Sequence, residues 1–115
     1  LNGTVSLHSE STHQNVTSPN VLALLPGSDP SLKDEVVVLS AHSDHIGLAN
    51  DLRTNDKVNN GAMDNAAGTA ILLETARLFA ALPAAPKRSI LFVALTGEEK
   101  GWLTFAAENQ KTLSH

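Results

Sequence analysis

The fold of this chain is decided by the stretch Val36-Val37-Val38-Leu39-Ser40-Ala41. Its residues are apolar at nearly every position and rich in β-branched side chains, which predicts a strand that is covered on both faces. The polar triplet His42-Ser43-Asp44 follows directly. We therefore expect this strand to carry an imidazole and a carboxylate at its carboxyl end.

A second apolar run, Ile90 to Thr96, leads through Gly97 into Glu98 and Glu99. Between the two runs, apolar residues recur at helical spacing from Asn65 until prolines end the pattern. Strand, helix and strand in this order predict a βαβ crossover with two parallel strands. The expected helical stripe is Ala67, Ala70, Ile71, Leu78 and Leu82, widened by Leu72, Ala76 and Phe79, with Asp64 as the N-cap and Pro83 and Pro86 beyond the end.

The remaining segments predict further elements on either side of this unit. Thr4 to Glu10 alternates weakly and Asn20 to Leu25 is apolar, so we expect two strands that pair as antiparallel neighbours. Gly47 to Gly61 is polar and predicts a long loop, and loops of that length are usually functional. Trp102 to Lys111 predicts the start of another helix.

Length and composition predict one globular domain over residues 1–115, with 42% hydrophobic and 17% charged residues. A net charge of −4, no basic cluster and 3% aromatic residues argue against nucleic acid as a partner. No apolar run is long enough to span a bilayer, so we expect no membrane partner. The sequence has no cysteine, so any metal must be held by histidine and carboxylate side chains.

The chemistry-bearing residues are expected to meet at one edge of the sheet, beyond the carboxyl ends of its parallel strands. His42, Asp64 and one of the paired glutamates would supply the donor set of a divalent-metal hydrolytic site. Asp44 lies two residues from His42 and is placed to accept its second ring proton. Because neighbouring side chains diverge, either Glu98 or Glu99 can bind metal while the other serves as general base.

Each of these residues also has an ordinary interpretation. His42 fits a solvated loop histidine, Asp64 a helix cap, and the paired glutamates a polar strand exit. The combination is far more specific than its parts, because all of them follow strand ends or open the helix between the strands. His8, His13 and His45 are interpreted as surface or loop histidines, with His45 a candidate to line the site.

Three motifs resemble the signatures of the M28 metallopeptidases, which are zinc aminopeptidases and their relatives. They are Ala41-His42-Ser43-Asp44-His45-Ile46-Gly47, Asn60-Gly61-Ala62-Met63-Asp64-Asn65-Ala66-Ala67-Gly68-Thr69-Ala70 and Thr96-Gly97-Glu98-Glu99-Lys100-Gly101. The spacings also agree with the family, with 22 positions from His42 to Asp64 and 35 from Asp64 to Glu99.

The resemblance implies a three-layer α/β/α sandwich with a mixed, mainly parallel sheet, and a two-zinc site that hydrolyses peptide substrates. His42 would bind one zinc, Glu99 the other, and Asp64 would bridge both. Glu98 would be the general base and Asp44 the outer partner of His42. The peptide bond between Asp64 and Asn65 would be cis.

The family pattern has two further metal ligands, an aspartate and a histidine, which are expected beyond residue 115. We therefore expect the chain to be the N-terminal part of a catalytic domain, and the isolated 115 residues to be inactive with weak metal affinity. An uncovered strand is an aggregation risk, so the rest of the domain or a self-association partner is expected to cover the sheet. The expected location of the enzyme is secreted or periplasmic.

Three other interpretations stay open. The chain is also compatible with a related carboxypeptidase or a glutaminyl cyclase on the same scaffold. A non-catalytic relative would use the fold as a binding module, although the intact His42, Asp64, Glu98 and Glu99 argue against a decayed site. The motifs would be accidental if the chain were a flavodoxin-like binding domain.

Overall fold

A computed structural model gives the fold and describes residues 3–12, 14–49 and 55–101. In these residues the chain forms three strands and two α-helices. They are β1 (Val21–Leu25), β2 (Val36–His42), α1 (Ala67–Ala80), β3 (Ser89–Leu95) and α2 (Glu98–Gly101), with a π-type turn over Ala62–Ala66 directly before α1.

The three strands form one mixed sheet in the order β1-β3-β2. Strand β2 pairs with β3 in parallel, with Val37 opposite Ile90 and His42 opposite Leu95. Strand β1 pairs with β3 in the antiparallel direction, with Leu25 opposite Ile90. The predicted βαβ unit and the mixed sheet are therefore confirmed, and β3 is the central strand.

The core lies between α1 and one face of the sheet. Ala41, Leu72, Ile90 and Phe92 are buried together, and Leu39, Ala76, Phe79 and other partly buried residues pack around them. The rings of Phe79 and Phe92 lie 6.3 Å apart at 57°, a tilted arrangement that adds to simple burial. This packing fixes α1 against β2 and β3, so the two parallel strands end at the same edge.

The predicted stripe of α1 was right for some of its residues and wrong for others. Ile71 and Leu78 are 68% and 54% exposed, and Leu82 beyond the helix is 48% exposed. Leu72, Ala76 and Phe79, which were predicted to widen the stripe, do face the sheet. The helix has apolar residues on most of its circumference, so periodicity alone did not select the stripe that the sheet buries.

The predicted strand over Thr4 to Glu10 was also wrong. Residues 3–12 have no regular secondary structure, and Val5 and Leu7 are 86% and 92% exposed. The antiparallel partner of β1 is β3 instead. A short run with weak alternation gains too little by pairing to offset the cost of ordering its backbone.

The expectation that β2 is covered on both faces is not met by the described residues. Val36, Val37 and Val38 are 41%, 43% and 44% exposed, because β2 lies at an edge of the sheet. On the face away from α1, the register also places Leu22 and Leu24, which are 49% and 59% exposed. The described part of the chain therefore shows two layers of the expected sandwich.

The remaining predictions fall partly on undescribed residues. Pro83 lies just past the end of α1 at Ala80, as predicted. The predicted helix over Trp102 to Lys111 lies outside the described residues, as do residues 50–54 of the predicted loop. Across the described residues, no helix combines the length and hydropathy that a membrane span requires.

Candidate metal centre

The site lies at the carboxyl ends of β2 and β3, where two short bridges hold the chain together. Ser43 donates to the carbonyl of Leu95 through both its backbone N–H (2.8 Å) and its hydroxyl (2.9 Å), which extends the pairing of β2 and β3 past His42. The Thr69 hydroxyl donates to the carbonyl of His42 at 2.9 Å. Strand β2, strand β3 and helix α1 are therefore tied together at this edge.

Three of the predicted ligands converge in space. One donor atom from each of His42, Asp64 and Glu99 lies within 4.8 Å of the others, and Nε2 of His42 is 3.1 Å from Oδ1 of Asp64. A tetrahedral zinc with bonds of about 2.0–2.2 Å to nitrogen and oxygen separates its ligand atoms by about 3.3 Å. The donor set and the His42–Asp64 distance thus fit a zinc ion.

The ring of His42 is held by the backbone of the loop that follows it. Nδ1 lies 3.1 Å from the carbonyl oxygen of Asp44 but 3.6 Å from its carboxylate oxygen Oδ1. The N–H at Nδ1 therefore donates to the carbonyl, which leaves the lone pair of Nε2 for a cation held between Nε2 and the carboxylate of Asp64. The orienting group is the backbone of Asp44, whereas the sequence had suggested its carboxylate.

The carboxylate of Asp44 fixes the start of α2 instead. Oδ1 accepts from the backbone N–H of Glu98 and Oδ2 from that of Glu99, both at 3.2 Å. Burial raises the pKa of Asp44, but the hydrogen bonds from Glu99 and Glu98 outweigh that effect and hold the pKa below its ordinary value of 3.8. Asp44 thus joins the end of β2 to the first turn of α2, which carries Glu99.

Asp64 does not cap α1, so that prediction was wrong. It lies in the π-type turn, and its backbone and that of Asn65 are non-helical, with a cis peptide bond between them as the resemblance implied. Asn65 takes over the capping bond, since its Oδ1 accepts from the backbone N–H of Gly68 at 2.9 Å. The carboxylate of Asp64 is therefore free to face the site, with 64% of its side chain exposed.

The two glutamates occupy different surroundings. The side chain of Glu99 is 18% exposed and contacts the imidazole of His45, whereas Glu98 is an exposed residue. Among the described residues, the convergent donor set contains Glu99 and not Glu98. The divergence of adjacent side chains, expected from the sequence, is thus visible in their burial.

The sequence interpretation made His45 a loop histidine and a candidate to line the site, but named no partner for it. Its Nδ1 lies 3.2 Å from Oε1 of Glu99 and 3.9 Å from Oδ2 of Asp64, and its side chain is 23% exposed. The one signal in the sequence was its place, three residues after His42 in the segment that leaves the strand. His45 and Glu99 are 54 positions apart in the sequence, so no local pattern indicates their contact.

The loop between β2 and the π-type turn is anchored near its base. Leu48 pairs with Val58 in a short antiparallel bridge, and the carbonyl of Gly47 accepts from the backbone N–H (2.9 Å) and the side chain (3.1 Å) of Asn59. These bonds bring the chain back toward the site just before Asp64.

Comparison with known proteins gives matches of one kind. The sequence profile of peptidase family M28 matches residues 20–111. A probable zinc metalloprotease of Pyrenophora tritici-repentis (strain Pt-1C-BFP) is 36% identical over 124 residues, covering 98% of this chain and 24% of that protein. A probable zinc metalloprotease of Pyricularia oryzae (strain 70-15 / ATCC MYA-4617 / FGSC 8958) is 40% identical over 83 residues, covering 71% of this chain and 15% of that protein. No solved structure gives a significant match.

Proposed function

The chain belongs to peptidase family M28, and from that premise we propose that the intact protein is a zinc-dependent peptidase. The observation that carries the proposal is the convergence of His42, Asp64 and Glu99 at one edge of the sheet. The names of the matched relatives support zinc as the metal. The match covers 24% of each of the first two relatives, so the chain spans about a quarter of their length. The activity is therefore proposed for the whole protein.

We propose that the site holds two zinc ions and that Asp64 bridges them. Its Oδ1 faces Nε2 of His42 at 3.1 Å, while its Oδ2 is the oxygen directed to the His45 and Glu99 side at 3.9 Å from Nδ1 of His45. A carboxylate that offers one oxygen to each side suits a pair of cations, whose mutual repulsion it offsets. His42 would belong to one ion and Glu99 to the other, with further ligands supplied from outside the described residues.

Zinc held in such a site supplies Lewis-acid polarisation of a scissile carbonyl and lowers the pKa of a nearby water. The chain's own residues supply the rest. Glu98 is exposed next to the ligand Glu99, where its carboxylate can take a proton from the attacking water as general base. The carbonyl of Asp44 keeps the ring of His42 in the tautomer that presents Nε2.

We further propose that the substrate is a peptide cleaved at its N-terminal residue, so that the enzyme is an aminopeptidase. The metal pair would supply a binding point for the free amine of such a substrate, which fits an exopeptidase. The exposed apolar sheet face with Leu22, Leu24, Val36 and Val38 would be covered by the remainder of the catalytic domain, completing the three-layer sandwich.

The test uses the intact protein loaded with zinc. Elemental analysis should find two zinc equivalents, and the protein should hydrolyse an aminoacyl p-nitroanilide until a chelator removes the metal. His42→Ala should lower activity by more than about 100-fold. Loss of a residue that only orients a metal ligand lowers activity by at most about that factor. His8→Ala is the matched control, because His8 is 83% exposed and pairs with Glu10.

The outcomes separate the candidate functions. Stable zinc without hydrolysis of aminoacyl, blocked or C-terminal substrates would indicate a binding module. Hydrolysis only from the carboxyl end would indicate a carboxypeptidase. An intact protein that takes up no zinc would refute the proposal.

A further inference from the structure

We propose that His45 is a positioning residue of the metal centre. Its Nδ1–H donates a hydrogen bond to Oε1 of Glu99, so that the other oxygen of Glu99 is directed to the cation. This inference rests on the proposed function, because it assigns a role within the same site. The inference adds the imidazole of His45 to the centre as a group that orients the ligand Glu99 and does not itself bind the metal.

The first observation is the contact itself. Nδ1 of His45 and Oε1 of Glu99 are 3.2 Å apart, and both side chains are largely shielded, with 23% and 18% exposed. A glutamate side chain is flexible, and holding it in one conformation costs on the order of 1 kcal/mol or more of entropy. A donor that occupies one carboxylate oxygen before the metal arrives removes part of that cost from binding.

The second observation is the packing of His45 on the loop that carries Asp64. Gly61 has a left-handed backbone (φ 60°), and a Cβ built there would lie 2.8 Å from Cγ of His45 and 2.7 Å from the carbonyl oxygen of Asp64. The imidazole therefore lies directly over the Gly61 backbone, with no room for a side chain between them. His45 thus joins the end of β2, the Asp64 turn and the start of α2.

The contacts favour an outer role for His45 over direct ligation. Its distance to Glu99 is that of a hydrogen bond, while Oδ2 of Asp64 is farther away, at 3.9 Å. Among the described residues, the donor set that converges within 4.8 Å contains His42, Asp64 and Glu99. His45 therefore orients Glu99 by a hydrogen bond, as the carbonyl of Asp44 orients the ring of His42.

The test compares His45→Ala with His45→Asn in the intact protein. The Asn side chain carries an N–H donor near the place of Nδ1 but no imidazole lone pair. His45→Ala should weaken zinc binding about 10–100-fold, as measured by competition with a chromophoric chelator, with the full number of zinc ions at saturation. His45→Asn should recover most of the lost affinity, and His8→Ala should match the unmodified protein.

Two results would overturn the inference. Zinc affinity unchanged in His45→Ala would show that the contact with Glu99 does not position the ligand. Loss of one zinc equivalent in both His45 variants, with no recovery in His45→Asn, would show that His45 binds zinc directly.

A second measurement needs no metal and no substitution. In the metal-free protein labelled with ¹⁵N-histidine, long-range ¹H–¹⁵N spectra should show the Nδ1 of His45 carrying a proton. Protonation at Nε2 alone would contradict the hydrogen bond to Glu99. This reading survives even if the protein binds no zinc, so failure of the proposed function and failure of this inference can be told apart.

Discussion

Two adjacent glutamates at the start of α2 have different surroundings, and the proposal gives them different roles. Glu98→Gln should retain zinc but lower kcat by about 10²–10⁴-fold, because an amide cannot accept the proton of the attacking water. Glu99→Gln should instead lose zinc affinity, since its partly buried carboxylate belongs to the donor set. Zinc content and single-turnover rates of both variants check this; equal loss of zinc in both would contradict the division of roles.

Two glycines with left-handed backbones provide a matched test of the site's packing. Gly61 has no room for a Cβ, whereas a Cβ on Gly47 (φ 78°) meets nothing within 4 Å. Gly47→Ala should cost only the backbone penalty, about 1–2 kcal/mol in the free energy of unfolding. Gly61→Ala should cost more and should weaken zinc binding, because it displaces His45 and the turn at Asp64. Equal losses of stability and unchanged zinc affinity in the two variants would contradict the packing.

The convergence of the candidate ligands could be predicted from the sequence. His42, Asp64 and one of the paired glutamates were predicted because each follows a strand end or precedes a helix, and the topology then brings them to one edge. The choice of Glu99 over Glu98 was implied by the resemblance to the M28 motifs. The structure places the donor atoms of His42, Asp64 and Glu99 within 4.8 Å. His45 was predicted only as a candidate to line the site, because its contact with Glu99 depends on the tertiary arrangement and has no pattern in the sequence.

At the scale of elements, Asp44 links the end of β2 to α2 through two backbone N–H groups. Asp44→Ala should lower the free energy of unfolding by about 1–2 kcal/mol at neutral pH, as for other carboxylates that cap backbone donors. Since the folded pKa of Asp44 lies below 3.8, its contribution is fully present above that value and is lost as the pH falls through the folded pKa.

Denaturant titrations of both proteins between about pH 3 and 7 check this prediction. The stability difference between the unmodified protein and Asp44→Ala should shrink on acidification. A difference that grows toward low pH would contradict the assigned hydrogen bonds. Asp29→Ala serves as a control for the loss of a carboxylate that has no bond to α2. The pKa of Asp29 is also lowered, chiefly by hydrogen bonds from the hydroxyl and backbone of Ser31.

Strands and helices were predicted unevenly, for physical reasons. Strands β2 and β3 are strongly apolar runs whose pattern allows little else, and their bounds agree with the sequence within one or two residues. The weak run at Thr4 to Glu10 failed because alternation in a short segment does not supply a pairing partner. Asp64 failed as a cap because the π-type turn places Asn65 in that role, a local geometry that residue preferences do not encode.

At the scale of the whole molecule, the sheet is covered by α1 on one face only within the described residues. On the other face, Leu22, Leu24, Val36 and Val38 are 41–59% exposed, which is costly in water. The apolar composition predicted a domain with a buried core, but the described residues form only two layers, so part of the apolar surface stays exposed. The buried central strand β3 and the exposed edge of β2 are what a larger sheet would require.

A charge on the uncovered face tests whether the intact protein covers it. Val38→Asp should destabilise the intact protein by about 2 kcal/mol or more, because a carboxylate would be buried without a partner. Val5→Asp should change stability by less than about 0.5 kcal/mol, since Val5 is 86% exposed. Equal unfolding midpoints for the two variants would show that this face remains in solvent.

Anomalous diffraction at the zinc edge, from crystals of the intact, zinc-loaded protein, would test directly whether His42, Asp64 and Glu99 bind zinc. We expect a peak about 2.0–2.2 Å from Nε2 of His42 and from a carboxylate oxygen of Asp64, with Glu99 ligating the second ion of the pair. Zinc bound elsewhere, with the side chains of His42, Asp64 and Glu99 free of metal, would contradict it.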